Sequence, residues 1–430
     1  MSLDLQKALE SSYVMKTFGD RSPVEFVSGH GMVLVGDDGR EYRDFLAGIG
    51  VCCLGHGNPV LVDAVRTQAE KLIHVSNYFY IEHRGEVAAL LSKLAEGDMA
   101  GAALIADAVA EGDEATVVAL GSPSEGEDAW QTFFANSGAE ANEGAMKLAR
   151  LYAKRGAHGN GGNIIVCLKG SFHGRTMETL AATMQDWAQE PFAPLPGGFV
   201  ACTPNDVEEL RAIFKGHGSE ICAVMVEPIQ GESGVHPLTP EFLEAARELT
   251  RSHGALLITD EVQCGVFRSG KPFAWQTYGV EPDIQSLAKG IAGGVPMGAF
   301  MAKREIAQVF HAGDHGSTFG GSNLAVAAAA AVLAELVRGG YGERAQSTGA
   351  YLAGKLEKLP HVTGVRGRGL MVGCDLDETV GDAHDVVARA LEAGFVINAT
   401  GPRTLRFLPP LICTEADVDD LVACLAGLLA

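Results

Sequence analysis

The chain has 430 residues, 47% of them hydrophobic, with 54 glycines, 17 prolines and a formal net charge of −21. That size suits a globular protein with one large and one smaller domain, and the acidic excess argues against nucleic acid as a partner. No apolar run reaches the ~20 residues of a membrane span, and the first twenty residues hold no apolar leader core. With nine scattered cysteines that lack zinc-type spacing, the composition leads us to expect a cytoplasmic protein with reduced thiols and no membrane partner.

Residues 1–58 open with an amphipathic stretch and continue through short strand-like runs at 32–35 and 42–46. This N-terminal segment is expected to pack with a C-terminal small domain. A breaker cluster, Gly55-His56-Gly57-Asn58-Pro59, precedes helices expected at 61–73 and 82–95, with an aromatic loop at 76–80 between them. Residues 59–310 read as the large domain. Within it, residues 97–128 are rich in Ala, Gly, Asp and Glu and carry no Lys or Arg. They are expected to form a solvated acidic insertion.

A strand is expected at 131–135, then a turn at Asn136-Ser137-Gly138, then a helix. Ala141, Ala145, Leu148, Ala149 and Tyr152 recur behind the turn at helical spacing. Such a turn points backbone N–H groups at the positive end of a helix dipole, and Gly138 allows an anion to approach closely. A plain N-cap would look the same. Further strands are expected at 163–168, 221–226, 255–258 and 284–288, with a helix from Pro240 that stops at Gly254. Strands alternate with helices, so the fold is α/β with a largely parallel central sheet. Beyond residue 310 an alanine-rich helix (324–337), short strands and a last helix from Glu415 describe a smaller α+β domain at 311–430.

Ligands of open α/β sheets sit beyond the carboxyl ends of the strands. Asp260 and Lys289 both stand there, so a carboxylate and an amine should face one crevice. A strand-end salt bridge would use the same pair. The chemistry that uses both is that of pyridoxal phosphate: the lysine amine condenses with the cofactor aldehyde, and the carboxylate keeps the ring nitrogen protonated. Two rival motifs fail. Residues 265–272, GVFRSGKP, approach a P-loop but place Pro272 where a hydroxyl should hold Mg²⁺. His311 and His315 lie in a glycine-rich stretch without an acidic base, so no metal site is expected. Gly367-Arg368-Gly369 is too short for a dinucleotide fingerprint.

The stretches NSGAEANEGAMKLAR, SFHGRT, VEPIQGESG, DEVQCG, LAKG, HGSTFGG and LRFLPPL resemble those of the class III (ω-amino acid) pyridoxal phosphate aminotransferases of fold type I. The match runs from about residue 25 to the C-terminus, apart from 97–128. The resemblance implies that Lys289 bonds to the cofactor and shuttles the proton, and that Asp260 meets the pyridine nitrogen. It implies Val262 and Phe172 on opposite ring faces, Gln263 at the ring hydroxyl, and His173 beside the cofactor. Ser137, Gly138 and Ala139 would form the phosphate cradle, and Thr318 would reach the phosphate of a neighbouring subunit in a homodimer with shared sites. Arg175 would bind a substrate carboxylate, Glu232 and Arg406 would form a gated pair, and Ser317, Ile49 and Asn77 would border the substrate.

Two departures stand out: Ala139 where many relatives carry Thr, and Gly321-Ser322-Asn323 in place of Gly-Asn-Pro. Ile49 stands where ornithine-specific members carry a tyrosine, and an apolar residue leaves a free ammonium unpaired. That position and Ile397-Asn398-Ala399-Thr400-Gly401 resemble the group acting on N-acetylornithine and N-succinylornithine, with 2-oxoglutarate as acceptor. γ-Aminobutyrate or ornithine as donor is the alternative.

Overall fold

The computed structural model describes residues 3–19, 21–121 and 129–430. Seven strands form the central sheet in the spatial order Trp130–Ala135, Gly298–Lys303, Ile284–Leu287, Leu256–Asp260, Ile221–Val226, Ile164–Leu168 and Phe199–Cys202. Gly298–Lys303 runs antiparallel to both neighbours, and the pairings from Ile284–Leu287 through to Phe199–Cys202 are all parallel. Every residue of Ile221–Val226 and Leu256–Asp260 is buried. Continuous apolar runs behave this way when helices cover both faces of a sheet.

Period-two alternation assigns the strand residues to two layers. Ile165, Met225 and Ile258 pack against Ala145, Leu148, Ala149 and Tyr152 of the Gly138–Arg155 helix. Val166, Val224 and Leu257 pack on the other side against Phe242, Ala246 and Leu249 of Pro240–Ser252. The second helix begins as its sequence dictates: the Thr239 side chain caps the Phe242 N–H, Pro240 occupies the first turn, and Gly254 exits at φ +65°. In the first helix, Gly144 faces Phe300, where a Cβ would meet Cε1 at 2.1 Å. Mid-helix glycine costs about 1 kcal/mol. Here it brings the helix, and the site at its N-terminus, close down on the sheet.

A four-stranded sheet, Val362–Arg368, Met371–Leu376, Thr404–Phe407 and Asn398–Ala399, is joined by helices Tyr341–Leu356, Ala383–Glu392 and Glu415–Leu429. The N-terminal strands Phe26–His30, Val33–Gly36 and Glu41–Asp44 continue into the C-terminal region, because Glu41–Asp44 pairs with Phe395–Val396. Among the described residues no single helix is long and apolar enough to cross a membrane. The apolar pair Asn323–Arg338 and Tyr341–Leu356 is bent by 69°, and it supplies Val326, Leu333 and Leu352 to the core.

The acidic insertion corrects one expectation. Met99–Glu111 is a helix with Ala102, Ile105, Ala106 and Ala108 buried, and Glu114–Gly121 follows as another. Residues 102, 105, 106 and 109 keep helical spacing, and small side chains let the helix pack beside alanine-rich Asn323–Arg338. Arg338 donates to Asp107 Oδ1 (2.6 Å) and to the Ala106 carbonyl. Composition alone, with no cation in the stretch, hid a partner supplied from 230 residues downstream. The rest of the insertion, 122–128, lies outside the described residues.

Candidate active site

Five chain segments leave the sheet at one edge and supply one cavity of about 400 Å³. Asp260 ends its strand inside it, 3% exposed. Three donors converge on its carboxylate: Asn142 Nδ2 (2.7 Å) and His173 Nδ1 (2.8 Å) on Oδ2, and the Val262 N–H (2.9 Å) on Oδ1. These bonds fix the orientation of the carboxylate. They also order His173. Burial works against its protonation, but Asp260, with Glu227 behind it, outweighs burial and raises its pKa. His173 Nε2 is buried without a hydrogen-bond partner among the described residues.

Lys289 lines the same cavity, two residues beyond Ile284–Leu287. Its backbone sits at φ +49°, in the left-handed region that non-glycine residues adopt at a cost of ~1–3 kcal/mol. Burial lowers the pKa of its amine, opposed by Glu232 and Asp260, while Arg406 adds to the lowering. A lysine depressed in this way is a better nucleophile toward a carbonyl.

The Gly138–Arg155 helix points its N-terminus into the cavity. Ser137 Oγ accepts from the Glu140 N–H at 3.2 Å, so Ser137 is the N-cap. At Gly138 a Cβ would meet Val262 Cγ1 at 2.8 Å; only glycine fits between the helix start and the Asp260 loop. Phe172 and Val262 both line the cavity.

At the far end, Arg406 is 2% exposed. It donates to Glu232 Oε1 at 2.7 Å and through two nitrogens to Asn398 Oδ1 at 2.8 and 3.1 Å. Gln263 links the pair, donating to Glu232 at 2.9 Å and accepting from Arg406 at 3.3 Å. Burial pushes the Glu232 carboxyl up, but Arg406 outweighs it and holds the pKa below the ordinary value. Arg175 also lines the cavity. Its guanidinium lies 5.2 Å from the Phe172 ring and 5.1 Å from the Trp187 ring, and it has no ion-pair partner among the described residues.

The remaining expected residues stand apart from this lining. Ser317 and Thr318 border a neighbouring groove with Asn136 and Glu140, and Asn77 donates to the Ser317 carbonyl at 2.5 Å. Ile49 sits at φ +67°, two residues before Val51, which does line the cavity. Two residues were missed by sequence reasoning. Asn142 lies three and seven positions before Ala145 and Ala149, on the buried stripe, and that placement was the available signal. Glu227 follows the fully apolar strand Ile221–Val226. Its carboxyl accepts from the Phe172 N–H (3.1 Å) and the Gly231 N–H (3.3 Å), and burial pushes its pKa up to about 7.

A lysine amine, a carboxylate fixed by three donors, a helix N-terminus that admits no Cβ and an unpartnered buried imidazole nitrogen together fit pyridoxal phosphate. Sheet and site define a fold type I pyridoxal phosphate enzyme. The chain belongs to the class-III aminotransferases, whose family model matches residues 16–429. It is 42% identical over 425 residues to the acetylornithine aminotransferase of Caldanaerobacter subterraneus subsp. tengcongensis, covering 98% of both chains. Among solved structures it is similar to the N-acetylornithine aminotransferase of Stenotrophomonas maltophilia, with 32% identity, TM-score 0.76 and 98% of each chain covered. The ornithine aminotransferase of Toxoplasma gondii, in a structure with partial occupancy of pyridoxal phosphate at its active site, gives 30% identity and TM-score 0.83 over 100% of this chain and 94% of that one.

Proposed function

We propose that the protein transfers the side-chain amine of N2-acetylornithine, or of N-succinylornithine, to 2-oxoglutarate, giving the N-acylglutamate semialdehyde and glutamate, a step of arginine biosynthesis. One observation carries this reading: of the two guanidinium groups at the site, Arg406 is closed by Glu232 at 2.7 Å and Arg175 has no carboxylate partner among the described residues. A donor that reacts through a side-chain amine brings one carboxylate, at its far end, and Arg175 holds it. 2-Oxoglutarate brings a second carboxylate beside its reacting carbon, and Arg406 receives it once Glu232 swings away. The identity to acetylornithine aminotransferases supports the acylated donor.

Bound pyridoxal phosphate supplies an aldehyde that receives the amine and a ring that takes up electrons from a breaking C–H bond. Lys289 would hold that aldehyde between turnovers, and its Nζ would move the proton at the reacting carbon. Asp260 binds the ring nitrogen. Ser137, Gly138 and Ala139 bind the phosphate, Val262 and Phe172 enclose the ring, and Gln263 meets the ring hydroxyl. His173 orients Asp260.

The site is completed in a homodimer. Thr318 borders its groove outside the cavity of its own chain, which suits a hydroxyl offered to a second copy. Nearby Tyr78 and Tyr80 are 94% and 107% exposed, with Phe79 and Phe319 exposed beside them, an apolar surface fit to be covered. Initial rates with 2-oxoglutarate and N-acetylornithine, N-succinylornithine, ornithine or γ-aminobutyrate test the donor. Preference for ornithine or γ-aminobutyrate over both acylated donors would overturn the reading. Light scattering that finds a fully active monomer would overturn the shared site.

A further inference from the structure

A second cavity lies away from the active site, between the segment after Asp260 and the C-terminal sheet. Its volume is about 620 Å³. Lys271, Arg366 and Arg368 line it, and no carboxylate does. On a chain of net charge −21, three cations around one cavity with no acidic residue in the lining are a local reversal that packing alone does not require. Arg366 is held by Asp375, its Nη2 donating to Oδ1 at 3.0 Å and its Nη1 to Oδ2, and its Nε is buried with no partner among the described residues. Arg368 lies 4.8 Å from the Tyr278 ring and donates Nε to the Tyr278 hydroxyl at 3.3 Å; no carboxylate meets it. Lys271 is exposed and has no ion pair among the described residues.

Ser269, 2% exposed, lines the same cavity, and its Oγ is buried without a hydrogen-bond partner. The backbone here is also built tightly. Cβ atoms at Gly369 and Gly349 would meet the Arg268 carbonyl oxygen at 2.5 Å and the Gly369 carbonyl oxygen at 1.9 Å. The Gly367-Arg368-Gly369 motif therefore brings Arg368 over the cavity by close backbone packing.

We propose that this cavity binds a small polyanionic metabolite through its carboxylate or phosphate oxygens, with Lys271 and Arg368 supplying charge and N–H donors. Planar guanidinium groups bind both oxyanions through paired N–H donors. The occupant bridges the 268–277 segment and the sheet that carries Arg366 and Arg368.

The test is titration calorimetry on the pyridoxal phosphate-loaded enzyme with citrate in one arm and inorganic phosphate in the other. Saturable binding of either anion at millimolar concentration is expected, and the arm that binds identifies the oxyanion. Arg368→Gln and Lys271→Ala should each weaken it about tenfold, the loss of one charge-assisted contact, with kcat unchanged. Arg175→Ala, which empties the active site of its open cation, should leave binding intact. Lys271 is exposed, so Lys271→Ala remains informative even where Arg368→Gln fails to fold. Absence of saturable heat in both arms overturns the proposal. So does binding that Arg175→Ala removes and Lys271→Ala spares, because the anion then occupies the substrate site.

Discussion

Glu232→Gln separates charge from shape at the gated pair. The amide keeps an oxygen for Arg406 and a nearly unchanged volume, so Gln263 and Asn398 can remain in place. What disappears is the negative charge 2.7 Å from a guanidinium that is 2% exposed. Breaking a fully buried pair costs ~3–5 kcal/mol. Here the carboxylate retains 28% side-chain exposure, and Arg406 keeps Asn398 Oδ1 and the Gly231 carbonyl at 3.3 Å, so about 1.5–3 kcal/mol is the better figure. That cost falls on the state with the amine donor bound, when Arg406 has no substrate carboxylate. It vanishes when 2-oxoglutarate is bound. Stopped-flow half-reactions should therefore show the donor half slowed about 10- to 100-fold and the 2-oxoglutarate half unchanged or faster. Equal slowing of both halves would refute the argument and leave Glu232 as a support of the fold.

Three further outcomes follow from the geometry. Lys289→Ala should abolish turnover, and borohydride reduction of the parent enzyme followed by peptide mass analysis should find the cofactor on Lys289; label on another lysine would refute the assignment. Gly138→Ala forces a Cβ to 2.8 Å from Val262 and should cost about 1–3 kcal/mol, read as a lowered Tm in apoenzyme and weaker cofactor binding on refilling. The Asp44 hydrogen bond raises the His56 pKa from 6.5 to about 9, so its contribution is complete below 6.5 and is lost as pH rises through about 9. The stability gap between parent and His56→Gln, measured as urea midpoints, should shrink from about pH 6 to about pH 10; a constant gap would show that protonated His56 contributes nothing.

Five of the seven central strands were legible because they are apolar runs of strand length that stop at polar residues, and such runs have little choice but burial between helices; Phe199–Cys202 and Gly298–Lys303 were not anticipated. Asp260 and Lys289 were legible for the same reason: strand ends are where that architecture gathers chemistry. The antiparallel course of Gly298–Lys303 was not, since a residue composition buried on both faces carries no direction. Asn142 escaped because a polar residue inside a helix ordinarily faces water; only its phase relative to Ala145 and Ala149 marked it as buried. The helix at Met99–Glu111 escaped because acidic composition outweighed an alanine pattern whose partner lies far along the chain.

The charges of the active site also bear on one another. Asp260, Glu227 and Glu232 bring three carboxyls near one cavity, against Lys289, Arg175 and Arg406. Burial and the neighbouring Asp260 charge push Glu227 up to about 7, with His173 opposing. Asp260 has three donors and Glu232 has Arg406, whereas Glu227 has only two backbone N–H groups. Glu227 is therefore a carboxyl that takes up a proton as pH falls below about 7, before Glu232, which Arg406 holds below the ordinary value. That ordering keeps the charge opposite Arg406. Glu232 stays ionised toward Arg406, and the repulsion among the neighbouring carboxyls is relieved at Glu227. Glu227→Gln tests it: the acid limb of the kcat profile should move while the activity plateau survives, and an unmoved limb would show that Glu227 holds no proton in the working range.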